Sequence, residues 1–463
     1  MNWIPDRLQT FGDEIAFIDH YGTVTYRQFL EKVNHWLNRF RTLEIKPGQV
    51  VALVGDCSPE SAALLVALML NGNTALPLAT ETRHQHSKWL QLSGAAAVIK
   101  IASGGKLWNG SIFDAVATHA LIDELGTTGA AGLILFTSGT SGESKGAVLS
   151  APALLERVRT LDAGQLKPRR SLVFLKLDHI GGINTLFSIL FNGGTAISIG
   201  DRSPRSVCAA IARHRVELLP TTPTFLNMLL ISGIYRDFDL SSLRVVTYGT
   251  EPMPASTLAG INKAFPAVSF KQTYGLTELG IFSTRSKRSN SGWMKIGGDG
   301  VETRIVAGTL HIRTPAAMLG YLNAPSPFDA GGWYNTGDRV EIDGDYIRVL
   351  GRESEIINVG GEKVYPAEVE SAIQEMDNVE EVLVSGKASA VTGQIVIARV
   401  VLKQPEDRGA LTKRLVAHCR GRLEPFKIPR LVTVHSESFI GNRLKKTRNV
   451  IDAWDKKRSE KRA

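Results

Sequence analysis

Residues 133–147 read Leu-Ile-Leu-Phe-Thr-Ser-Gly-Thr-Ser-Gly-Glu-Ser-Lys-Gly-Ala. An apolar run gives way to glycines and small hydroxyl residues around a single lysine, Lys145. Glycines let the backbone approach a ligand closely, N–H groups and hydroxyls can surround phosphate oxygens, and the lysine adds charge. A phosphate-bearing substrate is the first chemistry this stretch suggests. It is not a Walker A loop, which needs four residues between its glycines and then Gly-Lys-Ser/Thr. Here two residues separate Gly139 from Gly142, and Lys145 is followed by Gly146. Nor does a Gly-x-Gly-x-x-Gly open a helix, so a dinucleotide fingerprint is excluded as well.

The elements that must hold such a loop surround it. Apolar runs at 50–54, 132–136, 171–175, 195–199, 217–219 and 243–247 alternate with helical patterns such as 152–161 and 207–214. That alternation predicts α/β sheets with crossover helices. The character changes near residue 310. Segments 310–313, 338–342 and 346–349 read as antiparallel strands, with Asp343-Gly344 as a hairpin turn. Beyond 351 a smaller α+β unit is predicted, with helices over 366–376 and 410–423 and strands over 382–385, 395–401 and 431–434. The longest apolar run, 62–70, is about half of the roughly 20 residues a membrane span needs. Ser58 as N-cap, Pro59 at the first helical position and Asn71-Gly72 at the end mark it as a buried helix.

The 463 residues carry 54 Lys+Arg against 45 Asp+Glu, a formal charge of +9, with 43% hydrophobic and 21% charged residues. Such values exclude wholesale disorder, a fibre and a polytopic membrane protein. Cys57, Cys208 and Cys419 form no Cys-x-x-Cys pair, so neither a disulfide framework nor a zinc site is expected and a reduced, cytoplasmic setting is. Residues 1–6 lack the basic and apolar regions of a signal peptide, so no targeting segment is expected. Residues 443–463 hold nine Lys/Arg against Asp452, Asp455 and Glu460. Such a stretch is either a solvated terminal helix or tail or a docking surface for an anionic partner. The basic balance alone does not indicate nucleic acid, because no aromatic-plus-basic constellation accompanies it.

Four further stretches follow the glycine-rich loop: Tyr248-Gly-Thr-Glu-Pro252, Tyr274-Gly-Leu-Thr-Glu278, Trp333-Tyr-Asn-Thr-Gly-Asp338, and Gly351-Arg-Glu-Ser-Glu-Ile-Ile-Asn-Val-Gly-Gly-Glu-Lys-Val-Tyr-Pro-Ala-Glu-Val-Glu370. In order and over nearly the whole chain, the five resemble the motifs of the acyl-adenylate-forming superfamily: acyl- and aryl-CoA synthetases, nonribosomal peptide adenylation domains and luciferases. The resemblance implies an α/β fold. Residues 1–350 would form a large domain of α/β subdomains plus a small β-barrel-like subdomain, binding ATP and the carboxylate. Residues 351–463 would form a small mobile α+β lid carrying a catalytic lysine. It also implies ATP- and Mg²⁺-dependent activation of a carboxylic acid to an acyl-adenylate, with release of pyrophosphate, and transfer to a thiol.

Residue by residue, the resemblance assigns the phosphate loop to Thr137, Ser138, Gly139, Thr140, Ser141, Gly142 and Lys145, and further nucleotide contacts to Gly249, Thr250 and Glu251. The residue types suit this chemistry. A carboxylate attacking the α-phosphate brings two anions together, so catalysis is mainly positioning and charge neutralisation. Glu278 is a hard oxygen ligand of the kind Mg²⁺ takes beside phosphates, Thr277 offers a hydroxyl to the α-phosphate, and Tyr274 offers a ring face to adenine. Asp338 can accept two ribose hydroxyls, and Arg352 can reach the same ribose. The family's final lysine lies in a Ser/Thr-Gly-Lys-x-x-Arg setting, whereas this chain reads Ile440-Gly-Asn-Arg-Leu-Lys-Lys-Thr-Arg448. Alignment on Lys-x-x-Arg makes Lys445 the catalytic lysine and Arg448 its arginine, with Lys446 as rival. Ser144 replaces the usual proline of the phosphate loop, and Ser354 occupies the hinge position where relatives mostly carry Asp or Lys.

Leu175-Lys-Leu-Asp-His-Ile-Gly-Gly-Ile-Asn-Thr185 resembles the family's substrate gate, with His179 at the gate and Lys176 where many relatives have proline. Relatives that activate amino acids place an Asp directly after the gate aromatic. Ile180 stands there, and an unpaired ammonium would be costly to bury; the nearest carboxylate is Asp178. The implied acid pocket comprises His179, Gly182, Ile183, Tyr248 and Gly280, mostly small or apolar, which suits an acyl or aryl carboxylate. The run from Asn358 to Pro366 resembles CoA ligases more than peptide-synthetase domains. CoA is therefore the expected acceptor, with the phosphopantetheine of an acyl carrier protein and a catalytically inactive nucleotide-binding homologue as alternatives. No nucleic acid and no integral membrane association are expected.

Overall fold

Strands buried on both faces read as unbroken apolar runs, and in the computed structural model such runs form two seven-stranded sheets. Residues 1–102, 108–113, 119–138, 143–441 and 444–446 are described. In the first sheet, Ser269–Gln272, Val245–Tyr248, Leu218–Thr221, Arg170–Val173, Thr195–Ser198 and Ile15–Asp19 lie side by side and parallel, with Gly22–Thr25 antiparallel at the edge. In the second, Thr74–Leu78, Val50–Val54 and Ala97–Ile101 are parallel, and Gly132–Ser138 continues them beside Thr74–Leu78. Val50–Val54 and Thr74–Leu78 are buried throughout. Helix Pro59–Leu70 is sandwiched in the core between the sheets. Ser58 accepts the Ser61 N–H, and the Ser61 hydroxyl accepts the Ser58 N–H, closing a reciprocal cap. No helix among the described residues is long and apolar enough to cross a membrane.

A third, open antiparallel sheet of six strands covers 283–352 and corresponds to the smaller subdomain. Its central hairpin, Tyr334–Asp343 with Tyr346–Arg352, turns at Gly344-Asp345, one residue later than expected, with Gly344 at φ 59°. The second strand runs through the expected boundary at 350, because Arg352 pairs with Asp338 across the ladder. The short turn Glu353–Glu355 follows it. A five-stranded sheet then follows, built on the long hairpin Val379–Ser389 and Gly393–Leu402. Helices Pro366–Gln374 and Arg408–Cys419 pack on it through Val369, Ile373, Leu411 and Leu415.

The strand order of the first sheet sets the position of the site. From Arg170–Val173 the chain first adds Thr195–Ser198 on one side, and later adds Leu218–Thr221 on the other. Two connections leaving the carboxyl edge of adjacent strands in opposite directions open a crevice, the preferred ligand position of such sheets. Leu175, Asp178 and His179 after Arg170–Val173, and Pro223 and Thr224 after Leu218–Thr221, line it. The small C-terminal domain meets the large domain nearby, where Ser256 of helix Ala255–Ala264 donates to the Ser371 carbonyl of helix Pro366–Gln374 at 3.3 Å.

Candidate active site

Two adjoining cavities of about 540 and 520 Å³ lie at this crevice. Together they are large enough for a nucleotide and a small acid.

The first cavity is walled by Tyr274, Asp338, Arg352 and the Gly249–Glu251 turn. Tyr274 donates its hydroxyl to Asp338 Oδ2 at 2.5 Å, and Arg352 Nε reaches Asp338 Oδ1 at 2.8 Å. Both partners come from strand ends, Arg352 opposite Asp338 in the antiparallel ladder. Burial pushes the Asp338 carboxyl above its ordinary range, only partly offset by Arg352 and the Tyr274 hydroxyl. Burial and the neighbouring carboxylate keep the Tyr274 phenol protonated far beyond its usual range. Each Asp338 oxygen retains a second acceptor site for an incoming hydroxyl. Gly249 is required by close approach, since a Cβ would stand 2.5 Å from Thr273 Oγ1 and 2.7 Å from its carbonyl. Thr250 sits at φ 76°, a backbone conformation that marks a constrained turn. Gln272 also lines this wall, and its Oε1 is buried without a hydrogen-bond partner among the described residues.

The second cavity collects the phosphate-loop and gate residues. Strands Gly132–Ser138 and Ser144–Ser150 form an antiparallel hairpin in which Thr137 faces Lys145, so the two side chains leave on the same face. Gly139, Thr140, Ser141 and Gly142 lie outside the described residues, as do the basic stretch from 447 onward and Arg448; of Ser138, the backbone alone is described. Ser144, in place of proline, donates to Gln85 Oε1 at 3.3 Å. Lys145 Nζ stands 5.2 Å from the centre of the Tyr321 ring, and the Tyr321 hydroxyl donates to Glu278 Oε1 at 2.6 Å. Burial, with Glu278 adjacent, raises the Tyr321 phenol strongly, so it stays protonated and donates to Glu278, and Tyr334 beside it is pushed up to about 12. Glu278 is 8% exposed, and its second oxygen has no partner among the described residues. Among those residues no three His, Cys, Asp or Glu side chains gather as a metal cluster. One free carboxylate oxygen beside a phosphate site fits Mg²⁺, which commonly takes one or two carboxylates plus substrate phosphates.

His179 caps helix Ile180–Phe191, its Nδ1 accepting the Gly181 N–H at 3.0 Å. A neutral ring so held carries its proton on Nε2. That nitrogen lies 3.5 Å from Lys445 Nζ, so two N–H donors meet at the seam of the cavities. Lys445 is presented by a tight turn in which the Gly441 N–H donates to the Lys445 carbonyl at 2.9 Å and the Leu444 N–H to the Gly441 carbonyl at 2.8 Å. Thr222 Oγ1 ties the turn to the large domain through the Leu444 carbonyl at 2.7 Å. Lys176, the other departure at the gate, pairs with Glu81 and lies 3.7 Å from Asp56, bridging the two large sheets.

Four expected pocket residues do not line either cavity. Ile183 is 1% exposed in the core between the sheets. Gly182 packs against backbone, where a Cβ would stand 1.9 Å from the Lys176 carbonyl. Tyr248 is 1% exposed beneath the first sheet, in the cluster with Phe174 and Phe225. Gly280 serves a turn at φ 77° facing Leu154. The helical period explains this placement: Ile180, Gly181, Asn184 and Thr185 form the cavity-facing stripe, which leaves Ile183 on the core side. Asp178 lines the same wall. Tyr321, Gln272 and Thr222 carry no sequence signal that marks them as site residues, and Tyr334, inside the Trp333–Asp338 stretch, is given no role there. Tyr321 stands 43 positions from Glu278, and only tertiary structure joins them.

Residues 4–322 match the family model for AMP-binding enzyme, and residues 368–450 the model for AMP-binding enzyme C-terminal domain. The chain is 28% identical to 2-succinylbenzoate–CoA ligase of Bacillus subtilis (strain 168), over 96% of this chain and 98% of that protein. It is 31% identical to indoleacetate–CoA ligase of Aromatoleum aromaticum, over 66% of this chain and 63% of that one. Its fold is similar to that of o-succinylbenzoate CoA synthetase from Bacillus subtilis in complex with the acyl-adenylate intermediate, with a TM-score of 0.78, 25% identity and 97% of each chain covered. A structure of the same synthetase with ATP and magnesium ion gives a TM-score of 0.75 at 25% identity, covering 94% of this chain and 96% of that one.

Proposed function

The chain belongs to the AMP-binding enzyme family, and on that premise we propose that it is an AMP-forming carboxylic acid–thiol ligase. It activates an acyl or aryl carboxylic acid with ATP and then acylates the thiol of CoA. The observation that carries this reading is the meeting of Lys445 and His179 at the seam of two cavities. One holds the Tyr274–Asp338–Arg352 group and the other the Glu278–Tyr321–Lys145 group.

In the first half-reaction a carboxylate oxygen attacks the α-phosphorus of ATP, and the bond to the bridging oxygen of pyrophosphate breaks. The Lys445 ammonium and the His179 Nε2–H hold the carboxylate at the seam. Thr137, Thr277 and Lys145 take phosphate oxygens, so that charge which would repel the attack is neutralised. Asp338 accepts ribose hydroxyls, Tyr274 lines the base site, and Gln272 Oε1 supplies a buried acceptor suited to an amino group on the base. Glu278, oriented by Tyr321, would hold Mg²⁺, which when bound withdraws charge from the phosphates. In the second half-reaction the thiolate attacks the acyl carbon and AMP leaves. CoA is the acceptor named for the curated relatives. The three free cysteines accord with a reducing, cytoplasmic setting.

The test is mass spectrometry of purified protein with ATP, Mg²⁺ and a pool of fatty, aryl and dicarboxylic acids, sampled before and after addition of CoA. A new acyl-CoA mass is expected and names the acid. An acyl-AMP that persists after CoA is added assigns the acceptor to a carrier protein, and the absence of both products overturns the ligase reading.

A further inference from the structure

Lys445 and Lys446 leave the same turn in different directions. Lys445 reaches His179, whereas Lys446 Nζ reaches Glu370 Oε2 at 2.8 Å. Glu370 stands on helix Pro366–Gln374 of the lid and is 3% exposed, and its other oxygen accepts the Val384 N–H at 2.9 Å. The Lys446 side chain is thus bonded into the lid's own core. The backbone of the turn is held from the opposite side. Thr222 donates to the Leu444 carbonyl, and the Lys446 N–H faces Glu251 Oε2 at 3.5 Å. Glu251 Oε1 in turn accepts the Thr224 N–H at 2.8 Å. Leu444 sits at φ 51°, a left-handed conformation that a leucine keeps only where its surroundings over-determine it.

We propose that Lys446 and Glu370 are a positioning pair that makes the turn part of the lid's rigid body, so that docking of the lid delivers Lys445 to His179. Thr222 and Glu251 are the receiving dock on the large domain. Lys446 borders the first cavity, but its amine is engaged by Glu370, and its proposed role is to act through Lys445. The proposal rests on the ligase reading for the role of Lys445. A buried lysine–glutamate pair is a weak source of net stability, which leaves orientation as its contribution here.

The test compares wild type with Lys446→Met, which keeps the stem and removes the charge, with Lys446→Arg, and with the double variant Lys446→Met/Glu370→Gln. Acyl-AMP formation is read as hydroxamate from ATP, Mg²⁺, hydroxylamine and the acid pool. Transfer is read from synthetic adenylates of the same acids and CoA. Lys446→Met is expected to lower the ratio of adenylation to transfer at least tenfold through kcat, with KM for ATP within twofold, and Lys446→Arg to recover most of it. The double variant is expected to stay slow; recovery there would show that an unpaired buried charge, not orientation, caused the defect. Hydrogen exchange supplies a readout independent of activity. A peptide covering 439–446 should lose protection in Lys446→Met while helix Pro366–Gln374 keeps its own. Equal losses in both half-reactions, or unchanged protection at 439–446, overturn the positioning role while wild-type activity stands. No hydroxamate from wild type overturns the ligase reading itself.

Discussion

In the proposed ligase the residue that concentrates the chemistry is Lys445, whose amine reaches the His179 ring. Lys445→Ala is expected to slow acyl-AMP formation by about 100-fold or more, the scale of losing one preorganised charge at a developing anion. Transfer from a synthetic adenylate to CoA should change far less, and rapid-quench assay of the two half-reactions measures both. Asp338 offers a second, pH-based test. In the proposed reading it binds ribose as the carboxylate, and burial holds its pKa above the ordinary value. As pH falls through that raised value the carboxylate is protonated and affinity for ATP declines, at a higher pH than for an exposed aspartate; above it, affinity is flat. Calorimetric titration with ATP from pH 7.5 down to about 5 should show this. Asp338→Asn should bind ATP weakly and without that dependence.

At the scale of elements, the gate depends on how helix Ile180–Phe191 starts. His179 supplies the cap, and Gly182 lets the first turn pack directly on the backbone of Leu175 and Lys176. A side chain at 182 meets main chain rather than ligand. Gly182→Ala is therefore expected to destabilise by about 1–3 kcal/mol, as overpacking does, seen as a lower urea midpoint in the protein without substrates. Were Gly182 a pocket residue, stability would hold and only acid preference would shift. Ser58 gives a simpler case. Its reciprocal cap with Ser61 starts the helix buried between the sheets, and Ser58→Ala should cost about 1 kcal/mol, read from the same denaturation curve.

For the whole molecule, the decisive relation is that of lid to large domain. In this arrangement helix Pro366–Gln374 rests on helix Ala255–Ala264, with Ser256 Oγ and Ser371 Oγ 3.3 Å apart. Lys445 is thereby held against His179 at the seam of the cavities, which in the proposed reading is the arrangement for adenylation. Thiol attack on the acyl carbon requires access to the same seam. Oxidising a Ser256→Cys/Ser371→Cys variant should leave adenylation within a few-fold of wild type and cut transfer to CoA at least tenfold, with recovery on reduction. Unimpaired transfer in the oxidised protein would show that the lid need not turn about Glu353–Glu355.

Much of this architecture is legible in the amino-acid sequence alone. The alternation of apolar runs and helical periods determined the α/β architecture, because parallel strands need cover on both faces. The cap at Ser58 and the hairpin near Asp343 were local signals, and local hydrogen bonding decided both. The phosphate hairpin, Tyr274, Glu278, Asp338 and Arg352 were nameable because each lies in a contiguous motif. What only the tertiary structure decided were relations across long separations. Tyr321 on Glu278 and Lys446 on Glu370 are such pairs, as is the meeting of Lys445 with His179, 266 positions apart. It also decided which face of helix Ile180–Phe191 meets the cavity, with Gly182 and Ile183 turned away from it. Sequence carries the propensity of each segment, but the direction in which a side chain points is set by what the segment packs against.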